Sequence, residues 1–193
     1  MALRLAGLDY RVINAASWEP ASALDELRQV NPLMQIPTLV LPGGAVLTES
    51  AAILTHLGLI TSPGLLLPAD PGARAQAVRG LVYIAANCYS AISVIDYPER
   101  WTTAEDKESH EKIRAGTRSR LHRHWEIFAD TFAANPFLNG LAPGALDFLA
   151  VVVSKWGGAR AHLLETRPMF SELLRRIEAH PSVVDIFRNH WPR

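Results

Sequence analysis

The sequence predicts a small α/β layer followed by an all-helical domain, and three observations predict it. The apolar pattern of the first 58 residues runs helix, strand, helix, strand, strand, helix. Leu59–Gly72 then changes character: its prolines and glycines surround the apolar Leu65–Leu67, as in a linker pinned to a surface. Beyond it no strand pattern recurs. The expected domains are residues 1–62 and 73–193, joined by a linker over 63–72.

Each element has a local reason. Met1–Leu8 suits the last turns of a helix, with Gly7 as its stop. Tyr10–Ile13 alternates like a strand. Ser22 with Asp25 resembles a capping box, opening a helix that ends near Asn31-Pro32. Thr38–Leu41 and Ala45–Thr48 form strands around Pro42-Gly43-Gly44, and Glu49-Ser50 opens a helix over Ala51–Leu57. Ala73–Ile95 carries Ala77, Leu81, Ile84, Ala85, Cys88 and Ile92 at helical spacing, and Pro98 ends it. Thr102 or Thr103, each with an acid three residues on, caps a long helix running to about Ala134, where Asn135-Pro136 breaks it. Ala145–Trp156 is nearly apolar all round, as expected of a central core helix. Pro168 and Pro181 each suit a first helical position and predict two final short helices.

Composition excludes several classes. With 193 residues, 49% apolar and 20% charged, the chain suits an ordinary soluble globular protein with a sizeable core. Zero formal net charge argues against a nucleic-acid or anionic-membrane partner. The single cysteine, Cys88, excludes an internal disulfide and fits a reducing cytoplasm. No apolar run approaches the roughly eighteen residues of a membrane span, and Met1–Leu8 is too short for a secretory signal.

The densest signal lies between Asn31 and His56, NPLMQIPTLVLPGGAVLTESAAILTH. A proline ahead of a strand exposes the neighbouring peptide groups, because proline cannot donate to a ladder. An acid and a serine at a helix start make a small polar pocket for a zwitterion. Together they predict a site that grips an amino-acid-like or peptide ligand by its backbone and its charged end.

Gln35-Ile36-Pro37, Glu49-Ser50 and the apolar helix after them resemble the cytosolic glutathione transferase family, and its bacterial branches most. Gly144-Ala145-Leu146-Asp147 is a weaker match, with glycine where the family usually has Ser or Thr. The resemblance implies a thioredoxin-like N-terminal domain and a helical C-terminal domain of that family's type. It also implies glutathione as the substrate, with no metal, in a cytoplasmic homodimer built from the helices at Ser50–Leu57 and Ala73–Ile95. Pro37 is then cis, and Ile36 pairs through its main chain with the cysteinyl part of glutathione, a form of strand addition. Glu49 holds the α-ammonium, Ser50 the γ-glutamyl carboxylate, and Gln35 reaches the glycine end. Tyr83, Asn87, Trp101 and Trp156 are candidates for the second-substrate pocket, with plain packing as the alternative for each. The implied activity is conjugation of the glutathione thiolate to small electrophiles, as in detoxification. The alternatives are a non-catalytic glutathione-binding or interaction protein, and a glutathione-dependent isomerase, dehalogenase or peroxidase.

The family begins with a strand and loop ahead of its first helix, and keeps its catalytic Ser, Tyr or Cys there. Met1 falls inside that helix, so the expectation is that about fifteen to twenty residues of the family pattern lie outside this chain. The favoured explanation is a natural start upstream of Met1; the alternative is a short chain whose sheet is rearranged or completed by a partner. No Ser, Tyr or Cys occurs in Met1–Asp9, so no thiol-activating residue is named. Lowering a thiol pKa by about two units takes about 2.7 kcal/mol of differential stabilisation, part of which such a residue supplies.

Other residues carry plainer expectations. Cys88 sits on an apolar face and is expected to be buried rather than catalytic. His122 and His124 point to different helix faces and cannot share one metal. Arg118, Arg120 and Arg123 are expected to be a solvated face.

Overall fold

The computed structural model describes residues 1–16, 19 and 22–191. The N-terminal part contains α1 (Ala2–Leu5), α2 (Leu24–Val30), β1 (Leu39–Val40), β2 (Val46–Leu47) and α3 (Ser50–Ile60). A continuous helical run follows, made of α4 (Pro71–Tyr83), a π-helical segment (Ile84–Tyr89) and α5 (Ser90–Asp96). A 3-10 turn (Pro98–Trp101) leads to α6 (Lys107–Thr131), α7 (Ala145–Val153), α8 (Ala159–Thr166), α9 (Pro168–Ala179) and α10 (Val184–His190).

The expected strand at Tyr10–Ile13 is not formed. A strand needs a ladder partner, and among the described residues the only sheet is the β1–β2 pair. Tyr10, Val12 and Ile13 remain exposed instead, Val12 at 78%. The hairpin itself is as expected. Leu39 pairs with Leu47 and Val40 with Val46 in antiparallel register. Gly44 N–H donates to Leu41 C=O at 2.8 Å, with Pro42 presetting the bend and Gly44 at φ +81°.

Three helix starts differ from expectation. Asp106, not Thr102 or Thr103, caps α6, its carboxylate accepting from Ser109 N–H at 2.8 Å; a carboxylate satisfies that orphan donor and favours the helix dipole as well. Thr102 instead accepts from Ala104 N–H within the preceding loop. Ser22 does not cap α2, which begins after Ala23 without a side-chain cap. The last helix begins at Val184, beyond Pro181, while Pro168 does occupy the first position of α9. The long helix also stops at Thr131 rather than near Ala134.

The core is organised around α7. Every residue from Ala145 to Val153 except Val152 is buried, and α3, α4, the π segment and α9 pack around it. Its start is held by Asp147, whose carboxylate accepts from the N–H groups of Leu138, Asn139 and Gly144 at 2.9–3.0 Å. Burial pushes this carboxyl up to about 6, against the pull of the three amide donors. The linker is pinned as expected: Leu66 and Leu67 are fully enclosed, and Leu66 C=O accepts from Ala145 N–H at 2.8 Å.

Contrary to the expectation that no stretch approaches a membrane span, the helical run Pro71–Asp96 does so by length and composition. Its 26 residues are long and apolar enough to cross a bilayer. Ala77, Leu81, Ile84, Cys88, Ala91, Ile92 and Ile95 are nevertheless spent on the core against α6 and α7, as in an interior helix.

Leu67 lies so close to α3 that a Cβ on Gly58 would sit 2.4 Å from Leu67 Cγ. Replacing Gly58 with alanine is therefore expected to overpack this junction and cost roughly 1–3 kcal/mol. Urea unfolding of Gly58→Ala against the parent chain checks it; an unchanged midpoint would contradict the close approach.

Candidate functional site

The hairpin register builds the site. The ladder ends at the Leu39–Leu47 pair, and from this open end the chain runs back through Thr38 to Pro37 on one side and on through Thr48 to Glu49 on the other. The Ile36–Pro37 peptide is cis. Ile36 is 40% exposed, and among the described residues neither its N–H nor its C=O is engaged in a hydrogen bond. The Gln35 side chain is exposed, while its carbonyl accepts from Asn31 Nδ2 and Thr38 Oγ1, both at 2.9 Å.

Glu49 occupies the cap position of α3 at φ +64°, a left-handed conformation that costs a non-glycine residue free energy and clusters at functional sites. Its exposed carboxylate makes no ion pair among the described residues. Ser50 is the half-buried first residue of α3, and no side chain caps that helix. Its first-turn N–H groups therefore lack a side-chain acceptor, and the dipole favours an anion there. An open peptide edge, a free carboxylate and an uncapped helix start stand together. Such a constellation suits a ligand with a peptide backbone, an ammonium and a carboxylate.

Of the four residues expected at a second-substrate pocket, Tyr83 and Asn87 are neighbours on one helical run, while Trp101 and Trp156 make separate contacts. Tyr83 turns toward α6: its hydroxyl donates to His124 C=O at 3.1 Å and its ring packs among His124, Phe128 and Phe132. Asn87 donates to Tyr83 C=O at 3.1 Å within its own helical run. Trp101 lies exposed on the 3-10 turn. Trp156 meets Tyr89, which lies outside the expected set, edge to face at 6.0 Å between ring centroids. Tyr89 is 44% exposed, and partial desolvation first, then the Glu49 and Asp96 carboxylates, raise its phenol above the ordinary value. Tyr89 closes the π segment, and such insertions recur at functional positions.

Cys88 is fully buried, and burial pushes its thiol up to about 12. The histidines point apart as expected: His124 faces Tyr83, whereas His122 stacks on His162 at 4.4 Å and bonds Gly157 C=O through Nε2. Burial lowers the His122 pKa, and hydrogen bonds from His162 and Arg123 lower that of Glu126. Arg118, Arg120 and Arg123 are exposed. Among the described residues no three His, Cys, Asp or Glu side chains converge as a metal site.

A hairpin-borne peptide edge, joined through one helix to an all-helical body, defines a two-domain protein with a thioredoxin-like N-terminal domain. Residues 1–59 match the family model for the glutathione S-transferase N-terminal domain. The uncharacterised GST-like (glutathione S-transferase-like) protein YncG of Escherichia coli K12 is 36% identical over 189 residues, covering 97% of this chain and 90% of that protein. The chain belongs to the glutathione S-transferase family, in its bacterial cytosolic type. A Sulfitobacter glutathione transferase homologue solved with bound glutathione superposes with a TM-score of 0.80 at 22% identity, over 97% of this chain and 89% of its own. BphK, a bacterial GST solved as a ternary complex, gives 0.75 at 26% identity, over 97% and 90%.

A thiol with a pKa near 12 is not a nucleophile at neutral pH. Ellman's reagent is expected to find no reactive thiol in the native chain and one after denaturation. Rapid native labelling would show Cys88 to be accessible.

Proposed function

We propose that this protein is a glutathione transferase that adds the glutathione thiolate to small electrophiles, a detoxification chemistry carried out in the cytoplasm. The observation that carries the reading is the hairpin register. From the hairpin's open end one strand leads back to the unengaged main chain of Ile36 and the other leads on to Glu49 and the uncapped start of α3, which supports the reading. Ile36 pairs with the cysteinyl backbone, Glu49 takes the α-ammonium, Ser50 and the α3 amides take the γ-glutamyl carboxylate, and Gln35 reaches the glycine end. The thiolate then forms a carbon–sulfur bond, and the electrophile either expels its leaving group or takes up a proton. Trp156, with Tyr89 beside it, flanks the electrophile; Tyr83, Asn87 and Trp101 contribute less directly, given their present contacts. Residues 1–62 form the glutathione-binding domain, 63–72 the linker and 73–193 the helical domain. The chain acts as a homodimer through the helices at Ser50–Leu57 and Ala73–Ile95, whose exposed apolar neighbours Leu59, Ile60 and Val82 favour such a contact.

A second reading, glutathione binding without catalysis, is favoured by the deep burial of Cys88, the single cysteine of this sequence. Capture on glutathione–agarose tests both readings, and failure to bind would sink both. Conjugation of a chloronitrobenzene well above the uncatalysed rate would exclude the second. Ser50→Ala is expected to weaken glutathione binding by roughly 1.5–3 kcal/mol, the worth of a hydrogen bond to a charged group. Calorimetric titration checks it; an unchanged dissociation constant would place the carboxylate elsewhere.

A further inference from the structure

The loop that presents Gln35-Ile36-Pro37 is tied from below by one buried polar side chain. Asn31 is 2% exposed, although it directly follows α2, where an asparagine ordinarily does no more than end a helix. Its carboxamide is fully used inward. Nδ2 donates to Gln35 C=O at 2.9 Å and to Thr38 Oγ1 at 3.0 Å, while Oδ1 accepts from Leu33 N–H at 3.1 Å. A main-chain N–H can only donate and a C=O can only accept, so the network itself fixes which end of the carboxamide faces which partner. Thr38 Oγ1 donates to Gln35 C=O in turn, and Met34 N–H donates to Asn31 C=O at 2.9 Å. Met34 is held at φ +56°, a conformation a non-glycine residue keeps only where its surroundings impose it.

These bonds satisfy the carbonyl on the near side of Ile36 and the hydroxyl on the far side. Among the described residues Ile36, between them, has neither its N–H nor its C=O engaged. We propose that Asn31 is a positioning residue of the glutathione site: without touching the ligand, it fixes residues 33–38 in the shape that leaves the Ile36 main chain free to pair with the cysteinyl part of the tripeptide. The proposal rests on the glutathione reading given above. It also explains the residue type. Aspartate has the same shape but cannot donate at neutral pH, and it would set a negative charge against Gln35 C=O. Alanine would leave Leu33 N–H without its acceptor and take one donor each from Gln35 C=O and Thr38 Oγ1.

The test is calorimetric titration with glutathione of the full chain and of Asn31→Asp, well below each protein's melting transition. Arg160→Ala serves as a destabilised control. Arg160 joins Ser154, Val151 C=O and Glu178 in the helical domain, so its loss lowers stability away from the loop. The expected result is a tenfold or greater weakening in Asn31→Asp with no change in Arg160→Ala, because a merely structural role would lower the melting midpoint and leave the dissociation constant of the folded protein alone. Affinity within twofold of the parent chain in Asn31→Asp would overturn the proposal while leaving the glutathione reading intact. No binding by the parent chain would overturn that reading and the proposal with it. Should Asn31→Asp fail to fold, Thr38→Val removes one acceptor of Asn31 and one donor to Gln35 at constant shape. A threefold or greater weakening is then expected, and an unchanged constant overturns the proposal.

Discussion

A helix with no polar face must be enclosed on every side, and α7 imposes that demand on this protein. Its apolar residues cannot be left in water, and each large side chain so buried is worth roughly 1.5–3 kcal/mol. The enclosure is supplied by α3 from the hairpin side, by α4 and the π segment, and by α9. Its first turn lies under Leu66 and on Asp147, so the linker is core rather than tether. The position of α3 follows from this packing, and the position of Ser50 and Glu49 follows from α3.

Much of the architecture was legible because it rests on periodicity and on proline. The hairpin, α3, the pinned linker and the apolar α7 all follow from patterns that burial enforces locally. What was not legible depends on partners distant in the chain. Tyr10–Ile13 has strand-like alternation, but alternation states only what a strand would bury and does not provide a neighbour to pair with. At α6, two threonines and an aspartate within five residues all suit a cap, and only the chain path decides which one meets a free amide.

The candidate site divides in the same way. Gln35-Ile36-Pro37 and Glu49-Ser50 could be singled out from their residue types, and they flank the two strands of the one hairpin. Tyr89 escaped because helical spacing assumes an unbroken phase, whereas the π segment Ile84–Tyr89 shifts the faces beyond it. Tyr83 has the composition of a pocket residue but is claimed by the aromatic side chains of α6. Asn31 reads in sequence as a helix stop before a proline, and its inward hydrogen bonds emerge only once the loop has closed over it.

The double duty of α3 has a thermodynamic consequence. Its first turn belongs to the ligand site, and Gly58, near its other end, lies against Leu67 beside the central helix. Any molecule gripped at Ser50 in the folded state but not in the unfolded chain stabilises the enclosure as a whole, by about 4.1 kcal/mol at a thousand times its dissociation constant. Occupancy and cohesion are then linked quantities, and the reciprocal holds: a change that displaces α3 from its seat is felt as affinity at its opposite end.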